Sequence, residues 1–281
     1  NPQEISTMLV DYANAQKVEM DISKISERIY HYTSGYPFLV SRICKEIDEL
    51  ILPEKNEKKW KLSDVDNAVK NIISERNTNF ESLVTNLENN TQLLDFTEDL
   101  VVGNNIYTYN VLNPTIQLGE LYGIFRNINS RVAFHNKICE EVITNYITSK
   151  RSADNFKYMA SEAVRSQFVH PSGNLNFEKV LLKFQEVIRE KYSKSELLKS
   201  NDFLEKDLRM LFLVFLKPII NGVGFSFKEV ESSEEKRMDI VVIYQDEKFI
   251  VELKIWRGEE YHNHGIKRLK DYMRREGAEK G

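Results

Sequence analysis

The sequence predicts a multidomain α+β protein, and three observations carry that prediction. Helical periodicity dominates the first half, a short alternating stretch interrupts it near the middle, and three strand-like runs bounded by helices follow. The length, 281 residues, lies where a single core normally divides. Hydrophobic residues make up 41% and aromatic residues 11%, enough for more than one core, which excludes a disordered or collagen-like chain. The expected regions are 1–75, 76–150 and 151–281.

In the first region Ile22, Ile25, Ile29 and Tyr32 recur at spacings of three and four, which is one helix face. SGYP breaks the pattern, and Pro37 suits the first turn of a new helix, where its missing amide hydrogen costs nothing. Phe38, Val40, Ile43, Cys44 and Ile47 continue as a buried stripe. Leu62 and the cap-like Ser63 then open a helix with Val65, Ala68, Val69 and Ile72 inward.

The second region begins with a helix marked by Phe80, Leu83, Val84 and Leu87. A short helix, a turn at Gly103, Asn104 and Asn105, and a strand through Ile106, Tyr107 and Tyr109 follow. LYGIFRNINSRVAFHN alternates around NINS as a β-hairpin does, and KICEEVITNYITS is helical again. Helices followed by a hairpin predict a winged-helix-like module; the alternative is a helical linker carrying a small sheet. CEEVITNY is acidic where a recognition helix needs arginine, so a connecting or dimerising role is expected of it.

The third region opens with a loop at VHPSGNLN and an amphipathic helix bearing Phe177, Val180, Leu181, Phe184, Val187 and Ile188 on one side. A long apolar helix is expected to end at Pro218. FSFKEV, MDIVVIY and KFIVELKIW read as strands, and GEEYHNHGIKRLKDYMRR as a closing helix. This α-β-β-β-α order predicts a mixed α/β sheet domain.

Composition narrows the function classes. No apolar run approaches the roughly 18–20 residues that cross a membrane, and the start is not signal-like, so a cytoplasmic protein with no membrane partner is expected. Cys44 and Cys139 form no CxxC pair and read as buried free thiols in a reducing compartment. A net charge of -4 and a pI near 5.9 exclude a grip on nucleic acid by bulk charge but leave room for a local basic cleft.

Chemistry concentrates in the hairpin MDIVVIYQDEKFIVELKIW. With Gln245 opposite Lys248, Asp239 faces Lys254 and Val241 faces Glu252. Directly opposed residues share a face, so Asp239, Glu252 and Lys254 project to one side. Two carboxylates and an ammonium on one face of an apolar hairpin need mutual pairing, a metal or water. A Mg²⁺ ion fits such a set, with the lysine orienting a water or stabilising charge on a phosphate. The plain alternative is an acid–lysine pair at the sheet surface. Glu205 shares a helical stripe with Leu208 and Phe212, so it either reaches this site as a third acid or pairs with Arg209.

MDIVVIY followed by VELK resembles the D…(D/E)xK core of the PD-(D/E)XK nuclease superfamily. The run from FLEKDLRMLFLVFL to KRLKDY is similar to the C-terminal nuclease-like domain of bacterial AAA-ATPase-like proteins. That resemblance implies a restriction-endonuclease-like fold, with Mg²⁺ or Mn²⁺ held by Asp239, Glu252 and, less directly matched, Glu205. It assigns Lys254 to phosphodiester hydrolysis, with DNA the expected substrate. Relatives place Gln in a QLxDY-like segment where this chain has Arg268 in KRLKDY.

Upstream, YHYTSGYPFLVSRICKEIDE is similar to the helical lid of the ATPase in these proteins, and the middle region to their winged-helix-like linker. No GxxxxGK[ST] is present, so no ATP site is expected in this chain. An ATPase core, able to oligomerise, is expected before Asn1, and a closing strand after Gly281. The alternative function is an inactive nuclease-fold scaffold or regulatory module.

Weaker signals surround this core. Arg257, Lys267 and Arg268, with further cations nearby, form a basic flank that could receive a phosphate backbone, or a solvated mixed-charge helix with Glu259, Glu260 and Asp271. His262 and His264 are two apart on a helix, a poor geometry for one metal. His31 and His135 sit among apolar neighbours and read as structural.

Overall fold

The computed structural model describes residues 1–75, 77–102, 106–155, 165–192, 205–227, 240–245, 247–254, 258–276, 278 and 280–281. In chain order the helices of the first half are α1 (Pro2–Gln16), α2 (Ile22–Thr33) and α3 (Pro37–Glu46), which runs through a π-turn (Ile47–Ile51) into α4 (Leu52–Lys55). They continue with α5 (Leu62–Ser74), α6 (Thr78–Glu88), α7 (Thr91–Val102) and α8 (Pro114–Leu121). Strands β1 (Phe125–Ile128) and β2 (Arg131–Phe134) precede α9 (Lys137–Asn155) and α10 (Phe177–Tyr192). Then come α11 (Glu205–Ile220), β3 (Gly224–Phe227), β4 (Ile240–Tyr244), β5 (Glu247–Val251) and α12 (Glu259–Glu276).

The described chain is therefore mixed α/β, mostly helical, with a two-stranded and a three-stranded sheet. It gathers into two compact units, one of residues 1–89, 111–126 and 134–143, the other of 90–110, 127–133 and 144–281. No helix among the described residues is long and apolar enough to cross a membrane.

In the first unit α1 starts where Asn1 Oδ1 accepts from the Glu4 amide, with Pro2 inside the first turn. Its Ile5 and Leu9 are buried, as are Ile25, Ile29 and Tyr32 on the neighbouring face of α2. Ser34 and Gly35 take positive φ between α2 and α3, and Pro37 opens α3 as its sequence position requires. Val65, Ala68, Val69 and Ile72 of α5 are fully buried. Asp66 ties α5 to α2: it accepts from Arg28 Nε at 2.8 Å and from the Tyr32 hydroxyl at 2.9 Å.

Ser63 is not the cap of α5. The helix begins at Leu62, and Asp64 reaches back to accept from the Lys61 amide at 2.8 Å, because a carboxylate at the third position spans the first turn better than a hydroxyl inside it. Cys139 is buried as expected, whereas Cys44 is only partly so; both are free thiols.

The NINS hairpin forms. Asn129 and Ser130 both take positive φ, as a two-residue turn between twisted strands demands, and Asn127 Oδ1 accepts from the Ser130 amide at 2.9 Å. Tyr109 donates to Ser130 O at 2.8 Å and Val132 to Tyr107 O at 2.9 Å, so the expected third strand runs briefly beside β2. The turn read at 103–105 lies outside the described residues.

The second unit holds the antiparallel sheet β3-β4-β5. One face presents Val241, Ile243 and Ile250 to Leu269, Tyr272 and Met273 of α12. On the opposite face Phe249 stacks on Phe177 at 4.5 Å. Phe184 of α10 packs against Phe212 and Phe215 of α11, which lies beside β3. Both faces are covered, which is why β4 reads as an unbroken apolar run rather than an alternating one. After α12 the chain returns in parallel beside β5, where Ile250 donates to Lys280 O at 3.2 Å.

Two details of the sequence reading change here. Helix α11 runs past Pro218 to Ile220, because proline's φ is already helical and its cost is one lost amide donor near the helix end. The β4–β5 turn sits one residue earlier than expected: Tyr244 pairs with Glu247, Val242 with Phe249 and Ile240 with Val251. Gln245, at φ 52, sits in that turn rather than opposite Lys248. The register thus moves by two residues, which preserves the face of each paired side chain. Strand β5 ends at Val251, so Glu252 and Lys254 lie just beyond the ladder.

Candidate functional site

The end of β5 and the inner face of α12 bring three of the sequence-assigned residues together. Lys254 Nζ lies 3.2 Å from Glu252 Oε1, and an Arg268 guanidinium nitrogen lies 3.6 Å from the same oxygen. The Glu252 side chain is only 4% exposed, that of Lys254 14% and that of Arg268 35%. Among the described residues, one nearly buried carboxylate therefore faces two cations.

Helix α12 explains the geometry. Gly265, Leu269 and Tyr272 follow the i, i+4, i+7 spacing that turns one face toward the sheet, and Arg268 lies on that same stripe. Gly265 has no side chain, and a Cβ there would sit 3.7 Å from Lys254 Cγ, so the lysine stem passes directly over the helix backbone. Its ammonium reaches Glu252. A partly buried ion pair of this kind is poor value for stability, since desolvation offsets most of the Coulomb gain.

The remaining assignments divide. Lys267 faces outward beside Glu259, Glu260, Asn263 and His264 in a shallow, open depression. His262 and His264 are both exposed. Asp239 and Arg257 lie outside the described residues, as does the side chain of Glu205, whose backbone begins α11. Its stripe partner Phe212 is fully buried, and Arg209 is buried with Nε donating to Val102 O of α7 at 2.7 Å.

Among the described residues no group of three or more His, Cys, Asp and Glu side chains is arranged to hold a metal. Sequence reasoning placed Arg268 on the substrate side and missed its approach to Glu252. The signal was present in the Gly265, Leu269, Tyr272 stripe, which turns position 268 inward and position 267 outward.

Comparison with protein-family models, curated proteins and solved structures returned no match to this chain.

Proposed function

We propose that residues 151–281 form a nuclease-like domain of the PD-(D/E)XK type that hydrolyses nucleic acid phosphodiesters with a divalent metal, DNA being the substrate. The supporting observation is the Glu252–Lys254–Arg268 cluster at the end of the third strand of an antiparallel sheet. The α-β-β-β-α order and the helices covering both sheet faces agree with that fold. In the same reading 1–75 is the helical lid of an AAA-ATPase-like protein, 76–150 is a winged-helix-like linker, and ATP hydrolysis elsewhere in the full protein drives the nuclease.

Glu252 fits a Mg²⁺ ligand in kind, since it offers hard carboxylate oxygens and Mg²⁺ takes only one or two carboxylates besides water and phosphate. Asp239 and Glu205 are the further ligands assigned by sequence. Bound there, the metal would supply Lewis-acid polarisation of the phosphate and an activated water. Lys254 carries a fixed ammonium beside the reacting phosphate and stabilises charge that develops on it. Arg268, more exposed than its partners, can exchange Glu252 for a phosphate oxygen pair, for which its planar fork is suited.

A second reading is a non-catalytic scaffold that grips polyanions. The approach of Arg268 to Glu252 favours it, because the guanidinium competes with a metal for the same carboxylate.

Calorimetric titration of Mn²⁺ into the full chain separates the two, read beside nicking of supercoiled plasmid and cleavage of single-stranded DNA. The nuclease reading expects metal binding and cleavage by wild type, and loss of both in Asp239→Ala and Glu252→Gln. Wild type that neither binds metal nor cuts either DNA would overturn it. Retained DNA binding under those conditions would establish the scaffold.

A further inference from the structure

The first unit contains a cavity of about 220 Å³ that the nuclease reading does not use. Its walls come from four stretches of chain: the start of α3, one face of α6, the turn after α8, and the start of α9. Tyr36, Phe80 and Tyr122 supply aromatic surface, while Asn79, His135 and Asn136 supply hydrogen-bonding groups. Among the described residues no Asp, Glu, Lys or Arg lines it.

The polar groups are held in defined states. Asn136 is 6% exposed, and its Oδ1 accepts from the Cys139 amide at 2.8 Å, capping the first turn of α9. That bond fixes which end of the amide is oxygen. The nitrogen end lies 3.2 Å from His135 Nδ1, and an amide NH₂ can only donate, so Nδ1 accepts and Nε2 carries the ring hydrogen.

Burial first, and the nearby Arg126 guanidinium second, hold the His135 pKa below the usual histidine range, so the imidazole is neutral at pH 7. Tyr36 meets that imidazole edge-on, with ring centroids 5.5 Å apart. Cys139 is a wall and not a nucleophile: burial pushes its thiol up to about 12, and Sγ points at Gly123 O from 3.9 Å.

With aromatic walls, fixed amide and imidazole groups and no charged side chain among its described lining residues, the site favours a neutral ligand, because an ion desolvated against those walls would lack a directly opposed partner. Its volume lies below the roughly 300–1,000 Å³ typical of drug-sized ligands, which limits the occupant to a single ring with a short polar substituent. We propose that this cavity binds a neutral aromatic carboxamide, the ring between Tyr36, Phe80 and Tyr122 and the amide edge on Asn136 and His135. This assignment stands apart from the nuclease reading and survives its failure.

Three probes of one shape and different charge test it: benzamide, benzoate and benzamidine, titrated into the full ¹⁵N-labelled chain. The expected result is saturable shifts for benzamide at residues of α3, α6 and the start of α9, with affinity about tenfold above either charged analogue. Replacing His135 or Asn136 would disturb the start of α9, so the blocking variant is Ser82→Trp, at an exposed lining position of α6. It should abolish the benzamide shifts while leaving the remaining spectrum in place, and Tyr36→Ala should weaken them. No saturable shift, equal response to all three probes, or benzamide shifts that persist in Ser82→Trp would each overturn the proposal.

Discussion

Cys44 and Cys139 have thiol pKa values pushed up to about 12, in both cases chiefly by burial. An acid whose pKa is raised on folding stabilises the native state below its unfolded pKa. That contribution is lost as pH climbs toward the folded value, because only the unfolded thiol can ionise in between. The window here runs from about 9, the unperturbed thiol value, to about 12. Each thiol should cost about 1.4 kcal/mol of stability by pH 10 relative to pH 7. Urea unfolding of wild type against Cys44→Ala/Cys139→Ala at pH 7, 8.5 and 10 reads this directly. The packing loss of the double variant does not change with pH, so a shallower alkaline decline isolates the thiols. Parallel curves for the two proteins would show that neither thiol is shielded in solution. The same burial makes both cysteines slow toward thiolate-directed reagents in the native state.

Among the described residues, the element most exposed to a single added atom is α8. A Cβ at Gly119 would lie 2.1 Å from Phe125 Cδ2, and Phe125 is fully buried. Alanine normally gains about 1 kcal/mol over glycine inside a helix. Here overpacking should outweigh that gain, and Gly119→Ala should destabilise the protein by about 1–3 kcal/mol in chemical denaturation. Adding Phe125→Leu, which shortens the opposing ring, should return part of the loss; a stabilised single variant would mean that β1 moves freely away from α8.

Nothing in the local pattern of PTIQLGEL announces this contact, since glycine in a helical stretch reads only as weak propensity. Local pattern did suffice for the NINS hairpin, where Asn127, Asn129 and Ser130 encode the turn themselves, and for α2 and α5, whose stripes are continuous. It failed by two residues at the β4–β5 turn, because alternation fixes which face a side chain takes but not which residue lies opposite. Spacing placed Glu252 and Lys254 on one side but set Lys254 opposite Asp239, and the approach of Arg268 needed the packing of α12 on β5. The cavity beside His135 was not legible at all: four stretches separated by long intervals build it, and His135 alone looks like a core residue.

At the scale of the whole chain, a net charge of -4 stands against any polyanion, yet the proposed phosphate contacts are local. At physiological ionic strength the Debye length is about 8 Å, so charges farther from the contact hardly count and the nearby cations decide binding. Lys254, Lys267, Arg268 and the sequence-assigned Arg257 would each displace a counterion from DNA. With three or four such contacts, log K against log salt should fall with a slope of about -3, since each phosphate neutralised on B-DNA contributes about -0.9. Arg268→Ala should flatten that slope by about 1 and weaken binding evenly across sequences, because a phosphate contact carries no base information. Near 0.01 M salt the Debye length reaches about 30 Å, and the acidity of the rest of the chain enters the field at the site. The plot should therefore bend toward a plateau at low salt, where a uniformly basic protein would keep gaining affinity. Fluorescence anisotropy of a labelled duplex between 0.01 and 0.3 M salt measures slope and curvature together. A slope unchanged by Arg268→Ala would remove α12 from the interface, and with it the substrate side of the proposed site.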